Sequence, residues 1–186
     1  DYLEAIKWFH KAAEQGVVQA QSNLGAMYSK GRGTSKNFKE AVHWYRKAAE
    51  QWDAKAQFNL GVMYTKGRGV SQKYAEAVNW YQKAAGQGYA SAQNKLGSMY
   101  RRGQGVTKDL VEAVNWYQKA AEQKNSLAQN NLGVIYSKGR GITKNNIYAH
   151  MWMDIAATNG RANAVRNRDI LAKKMTAVEI SKAQAL

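Results

Sequence analysis

Apolar residues recur along this chain with a helical period. In the segment AKAQFNLGVMYTKG, Ala56, Leu60 and the pair Met63/Tyr64 fall on one side at i, i+4, i+7/8 spacing, which predicts an amphipathic α-helix. The segment YAEAVNWYQKAAGQG continues that spacing through Ala77, Val78, Tyr81 and Ala84/Ala85 and ends at Gly88, a residue suited to a left-handed C-terminal cap. Between these helices, A and B, lies KGRGV, whose first glycine stops helix A and whose second turns the chain back without steric cost. No stretch reads as a strand.

The pattern repeats without gaps. Trp8, Trp44, Trp80, Trp116 and Trp152 lie 36 residues apart, as do the Ala-Ala pairs that begin at Ala12, Ala48, Ala84, Ala120 and Ala156. A period of this length marks stacked supersecondary units. Positions shared by every unit belong to the scaffold that all units need. Leu24, Leu60, Leu96 and Leu132, with Tyr28, Tyr64, Tyr100 and Tyr136, are therefore expected in the core. Gly25, Gly61, Gly97 and Gly133 should mark where helices A and B come too close for a side chain. The tryptophans read as core as well, with a stacking or carbohydrate platform as the alternative. Asn23, Asn59 and Asn131 read either as grips for a peptide backbone or as hydrogen bonds between neighbouring units.

The unit A-x-A-Q-x-N-L-G-x-M-Y-x-K-G-x-G-V followed by A-V-x-W-Y-x-K-A-A resembles the Sel1-like repeat, a relative of the tetratricopeptide repeat. The resemblance implies an all-α fold, a right-handed superhelical solenoid of α/α repeats. Residues 1–160 form the array: helix B of a first repeat (Asp1 to Gln15), then four A/B units from about Val18 to Gly160. Residues 161–186 form capping helices, one around Ala164 to Lys174 and a last one whose start carries a Thr176/Glu179 capping box. A repeat array needs such a cap, because its final apolar face would otherwise meet water. The chain begins with a helix B, which points to a longer natural protein. By the same resemblance this is a bacterial, non-enzymatic adaptor for other proteins, with a periplasmic or secreted location favoured.

In tetratricopeptide relatives helix A lines the concave side, so its variable positions are the candidates for a partner. One column reads Ser22, Phe58, Asn94, Asn130; a second includes Val62 and Ser98; a third includes Arg101. Phe58 breaks its column most sharply and reads as an apolar anchor or as a local packing contact. Lys95 replaces the recurring asparagine, and with Arg101 and Arg102 it would meet acidic side chains. Trp52 stands where other copies have Gly16, Gly88 and Gly160, so it is either packed on a neighbouring repeat or an exposed hot spot.

Charge adds a second candidate surface. The 186 residues carry 28 Lys and Arg against 13 Asp and Glu, a formal net charge of +15, which favours acidic partners. Lys30, Arg32 and Lys36 recur as Lys66, Arg68 and Lys73, then as Arg101, Arg102 and Lys108, and again as Lys138, Arg140 and Lys144. Along stacked repeats these loops form a basic stripe, read either as a track for nucleic acid, glycan or anionic lipid or as a solvated edge. Aromatics for base stacking do not interleave with it.

Catalysis finds no support. The glycine-rich loops do not match G-x-x-x-x-G-K-[ST], and a catalytic loop has no reason to occur four times. His10, His43 and His150 occupy three different positions of helix B. His150 stands where Ile6, Val42, Val78 and Val114 stand elsewhere, which makes it a tolerated, partly buried histidine rather than a metal ligand. Zero cysteines exclude thiol chemistry and disulfides. No apolar run approaches the roughly 20 residues that span a bilayer. The expectation is a protein or peptide partner, with no cofactor, metal or small-molecule substrate.

Overall fold

The structure is a computed structural model that describes residues 2–186. Among these it contains eleven α-helices and no strand. Helix A of successive repeats is α2 (Val18–Lys30), α4 (Ala54–Lys66), α6 (Ala90–Arg102) and α8 (Ser126–Lys138). Helix B is α1 (Tyr2–Glu14), α3 (Phe38–Glu50), α5 (Tyr74–Gly86), α7 (Leu110–Glu122) and α9 (Asn146–Thr158). Each of these nine is 13 residues long. Two shorter helices follow, α10 (Ala162–Ala172) and α11 (Ala177–Gln184), both packed on α9. Helix α10 therefore starts and ends two residues before its expected limits. Helix α11 opens with the expected capping box, in which the Thr176 side chain accepts from the Glu179 amide while the Glu179 carboxylate accepts from the Thr176 amide.

Each A-to-B loop closes in the same way. Gly67 adopts φ +62° as the C-cap of α4, and its N–H and that of Arg68 both reach the Met63 carbonyl. The Lys73 N–H, at the head of α5, then returns to the Tyr64 carbonyl at 3.1 Å. Asn37, Asp109 and Asn145 make the equivalent return to Tyr28, Tyr100 and Tyr136. The second loop glycine is needed for a further reason: a side chain at Gly69 would collide with the carbonyl of Phe38, the first residue of α3.

The core follows the shared positions. Leu24, Leu60, Leu96 and Leu132 have no exposed surface. A Cβ at Gly61 would lie 2.5 Å from the Tyr81 ring, and Gly25 stands in the same relation to Tyr45. The close helix approach expected at these glycines is thus present. Tyr28, Tyr64, Tyr100 and Tyr136 differ from expectation, being only half-buried. Two of their hydroxyls meet polar partners, Tyr28 with His10 at 2.8 Å and Tyr64 with Arg46 at 2.9 Å. The buried tyrosines are instead Tyr45, Tyr81 and Tyr117 on helix B.

The tryptophans divide according to what precedes them. Trp44 is buried against α1 and α2 residues, including Ile6, Ala13, Leu24 and Met27. Trp80 packs on the core of α3 and α4, and Trp152 on that of α7 and α8. Each rests on the helix pair before it. Trp8 has no such pair within the described residues and is 65% exposed, contrary to the core expectation. Lys47, Lys83 and Lys119 lie over the rings of Trp44, Trp80 and Trp116 at 4.4–4.9 Å.

The helices gather into two compact units. The first runs through Ala92 and includes Gln104–Val106; the second comprises Gln93–Gly103 and Thr107–Leu186. Both are joined internally by a buried amide clasp. In the first, the Gln57 side chain donates to the Ala49 carbonyl at 3.1 Å and accepts from Gln87 at 2.8 Å. In the second, Gln129 donates to Ala121 and accepts from Asn159, both at 3.0 Å. The clasp satisfies a buried polar group and a helix-terminal carbonyl together, so helix A is tied to the B helices on either side.

Candidate partner-binding site

The variable column of helix A turns out to be mostly internal. Ser22, Asn94 and Asn130 are buried. In the first unit, Ser22 donates to the Asp53 carboxylate at 3.1 Å. In the second, Asn94 accepts from Asn131 and Asn130 accepts from Asn167, at 3.0 and 2.9 Å. These bonds link one helix A to the next and α8 to α10, so these side chains offer little surface to a partner. They also supply at Asn131 the inter-repeat role considered for that column. Phe58 is half-buried, its ring 5.8 Å from that of Tyr81 and 5.3 Å from that of Tyr89, the geometry of a packed aromatic cluster.

Other candidates keep surface. Val62 and Ser98 are half-buried, and Lys95 and Arg102 are exposed on α6 or its end. Arg101 is half-buried and its Nε faces the Tyr117 hydroxyl at 3.4 Å. Trp52 does not pack on a neighbouring repeat: it is 69% exposed. Its backbone sits at φ +67°, the left-handed region that its glycine counterparts occupy without cost.

The loop cations fall into two groups. In the first unit, Lys30 and Lys66 are exposed at the ends of α2 and α4. Arg32 lies over the Tyr2 ring at 5.9 Å, and Arg68 over Phe38 at 5.2 Å. In the second unit, Lys138 and Arg140 instead line concave surface. A cleft of about 150 Å³ is formed by Arg101, Asn131, Val134, Ile135 and Arg140. A larger one, about 460 Å³, is lined by α8, the loop after it, α9 and α10. Lys138, Lys144 and Lys174 contribute to it, with Ser137, Asn146 and Asn167, over an apolar floor of Val134, Met153, Ile170 and Leu171. Val134 belongs to both clefts, and no carboxylate lines either.

Asn146, Met153 and Lys174 were not among the sequence candidates, yet the signal was available. Position 153 is aromatic in the other repeats, as Phe9, Tyr45, Tyr81 and Tyr117. Position 146 is apolar in all of them, as Tyr2, Phe38, Tyr74 and Leu110. Breaks in helix B columns, rather than in helix A columns, mark the larger cleft.

His150 is buried, with Nδ1 lacking a hydrogen-bond partner among the described residues. Burial is the main cause that lowers its pKa; Asp154 and Asp169 oppose this, and Arg168 adds to it. The same Arg168 holds Asp154 at 2.6 Å and Asp169 at 2.9 Å. Among the described residues no three His, Asp or Glu side chains are placed to hold a metal ion, and no helix is long and apolar enough to cross a membrane.

The Sel1 repeat family model matches residues 1–17, 18–51, 54–89, 90–125 and 126–160. The chain belongs to the Sel1 repeat family. Such proteins are generally non-catalytic scaffolds for protein interactions. Among solved structures, this Sel1 chain is similar to c5321, a protective antigen of uropathogenic Escherichia coli strains, with 44% identity and a TM-score of 0.85 over 88% of its length. It resembles a Sel1 repeat protein from Oxalobacter formigenes equally well, with 43% identity and a TM-score of 0.85 over 89%. It spans 35% of the first of those chains and 66% of the second. Cysteine-rich protein B of Helicobacter pylori is more distant, with 25% identity and a TM-score of 0.56 over 70% of this chain and 93% of its own. A comparison with curated proteins matched none.

Proposed function

We propose that this Sel1 chain is an adaptor whose second unit binds an acidic segment of another protein along the helix A surface of α6, α8 and α10. The observation that carries the reading is the pair of clefts flanking α8. Both are cationic, neither is lined by a carboxylate, and they share Val134. An extended acidic segment laid across α8 would set carboxylates against Arg101 and Arg140 on one side and Lys138 on the other. Lys95 and Arg102 on α6 would add longer-range attraction that speeds encounter. The apolar floor lets the contact bury side chains as well as pair charges, which separates it from simple counterion exchange.

The test is fluorescence anisotropy with a labelled acidic peptide and, in parallel, a labelled single-stranded DNA and heparin, at about 150 mM salt. The peptide should bind, and an Arg101→Glu/Arg140→Glu variant should weaken it at least tenfold while leaving the thermal melt unchanged. Tighter binding of DNA or heparin, unaffected by that variant and lost steeply with added salt, would assign the function to the basic loops instead.

A further inference from the structure

The repeat provides its own ruler for the larger cleft. In three repeats the helix B tyrosine hydroxyl meets a helix A residue sixteen positions earlier. Tyr45 meets Ser29 at 3.4 Å, Tyr81 meets Thr65 at 3.1 Å, and Tyr117 meets Arg101 at 3.4 Å. Thr65 spends its own proton on the Gly61 carbonyl at 2.7 Å, so Tyr81 is the donor of its pair. The fourth repeat has Met153, which cannot donate. Ser137 bonds back to the Val134 carbonyl at 2.9 Å and has no tyrosine. Met153 takes the place over Gly133 that the Tyr81 ring takes over Gly61, and beyond its end, where the hydroxyl would reach, is open volume lined by Met153 and Ser137.

Three requirements on an occupant follow. Lys138, Lys144 and Lys174 call for negative charge, and none has an ion-pair partner among the described residues, where the ion pairs are those of Arg168 with Asp154 and Asp169. The Asn146 Oδ1 has neither a hydrogen-bond partner among the described residues nor exposed surface, and a turn of its side chain toward the cleft that the residue lines would present this orphaned acceptor to an N–H or O–H donor. The floor of Val134, Met153 and Leu171 calls for an apolar group. At about 460 Å³ the cleft falls within the range of roughly 300–1,000 Å³ usual for preformed ligand sites.

One common chemical group meets all three within a few ångströms. The last residue of a polypeptide carries an α-carboxylate, a backbone N–H and a side chain on one carbon. A phosphodiester lacks the donor, and an internal aspartate lacks the apolar group. We infer that this cleft receives the free C-terminal residue of the partner chain, with an apolar side chain at that position. The inference rests on the acidic-partner reading above. The chain upstream of that residue leaves across Val134 toward Arg101 and Arg140, which explains why the two clefts adjoin.

The experiment uses a fluorescein-labelled decapeptide of alternating aspartate and glycine that ends in leucine, prepared as the free acid and as the C-terminal amide. The wild-type chain should bind the acid at least tenfold more tightly than the amide. Met153→Tyr narrows the cleft beside Ser137 and restores the donor to that residue, so it should fold normally, as checked by thermal melt, and lose that preference. Lys174→Gln should reduce the preference several-fold. Equal binding of acid and amide, still weakened by Arg101→Glu/Arg140→Glu, would overturn the C-terminal site and leave the acidic-partner reading intact. Binding of neither peptide would sink both. Competition by N-acetyl-leucine as effectively as by the peptide would replace a protein terminus with a small carboxylate and overturn the inference as stated.

Discussion

The two compact units are written in the same 36-residue plan but use their loop arginines and helix B aromatics differently. In the first unit Arg32 and Arg68 lie over Tyr2 and Phe38, and the Tyr45 and Tyr81 hydroxyls close on Ser29 and Thr65. In the second, the position that corresponds to Phe38 is Leu110, which has no π face, and the one that corresponds to Tyr81 is Met153. Arg140 then lines a cleft with Arg101, and a larger cleft opens beside Ser137. Function in a repeat protein can thus enter by removing scaffold interactions from one copy. The groups released are cations and polar acceptors, already placed by the helices around them.

Exchanging the two helix B residues tests this most strongly. Tyr81 is 1% exposed and its pKa is pushed up to about 12, chiefly by burial, so the hydroxyl is held as a neutral donor. Tyr81→Met should lose that bond and leave unfilled space, destabilising the chain by about 2–4 kcal/mol in urea denaturation. Met153→Tyr, entering existing volume, should change stability by less than about 1 kcal/mol. Equal costs at both sites would mean that the fourth repeat is as tightly packed as the second, and the contrast between the units would fall.

A smaller effect is expected at a column where each unit has one exception. Trp52 in the first and Lys124 in the second adopt φ +67° and +61°, where Gly16, Gly88 and Gly160 stand elsewhere. Left-handed backbone costs a side-chain-bearing residue roughly 1–2 kcal/mol. Trp52→Gly and Lys124→Gly should each raise stability by about 1 kcal/mol, measured by thermal and urea melts. If Trp52 is a hot spot, its glycine variant should also bind partner more weakly, gaining stability while losing function. A destabilised Trp52→Gly would show that the exposed indole packs on its own unit.

These contrasts also show what the sequence alone could reveal. Helix positions, the loop glycines, the leucine core and the capping box at Thr176 and Glu179 were legible because each is a local rule repeated at a fixed interval. The burial of Ser22, Asn94 and Asn130 was not, because variability along a column does not say whether the column faces solvent or the next helix A. Trp8 illustrates a further limit. Its sequence register equals that of Trp44, but burial depends on the helix pair that precedes it. Asn146 and Met153 were visible as exceptions but carried no meaning until their neighbours were known, since a cleft is a property of several elements at once.

His150 gives the second unit a pH dependence that the equivalent Val78 cannot give the first. Its pKa is lowered in the folded chain, so below the unfolded value of 6.5 the unfolded chain takes up the proton more readily. Stability should be fully present above about pH 6.5 and decline as pH falls through that value toward the folded pKa. Asp154 and Asp169 soften the slope and Arg168 sharpens it. His150→Val should remove this contribution, as read from melting temperatures between pH 7.5 and 5. An unchanged slope would assign the acid sensitivity to carboxylates elsewhere.

The smallest effect bears most directly on the comparison. Arg68 over Phe38 is an exposed cation–π pair, so Arg68→Ala should cost about 0.5–1 kcal/mol. Leu110 holds, relative to Arg140, the position that Phe38 holds relative to Arg68, and Arg140→Ala should alter stability by less than about 0.5 kcal/mol while weakening acidic-peptide binding. Leu110→Phe should return a ring to Arg140 and draw its guanidinium away from the cleft. In that background Arg140→Ala should cost as much as Arg68→Ala does, and peptide affinity should already be reduced before the arginine is removed. A double-mutant cycle with no coupling between positions 110 and 140 would mean that the ring does not govern where the arginine lies. The charge in the second unit would then be placed by its own loop, and the substitution at 110 would be incidental to binding.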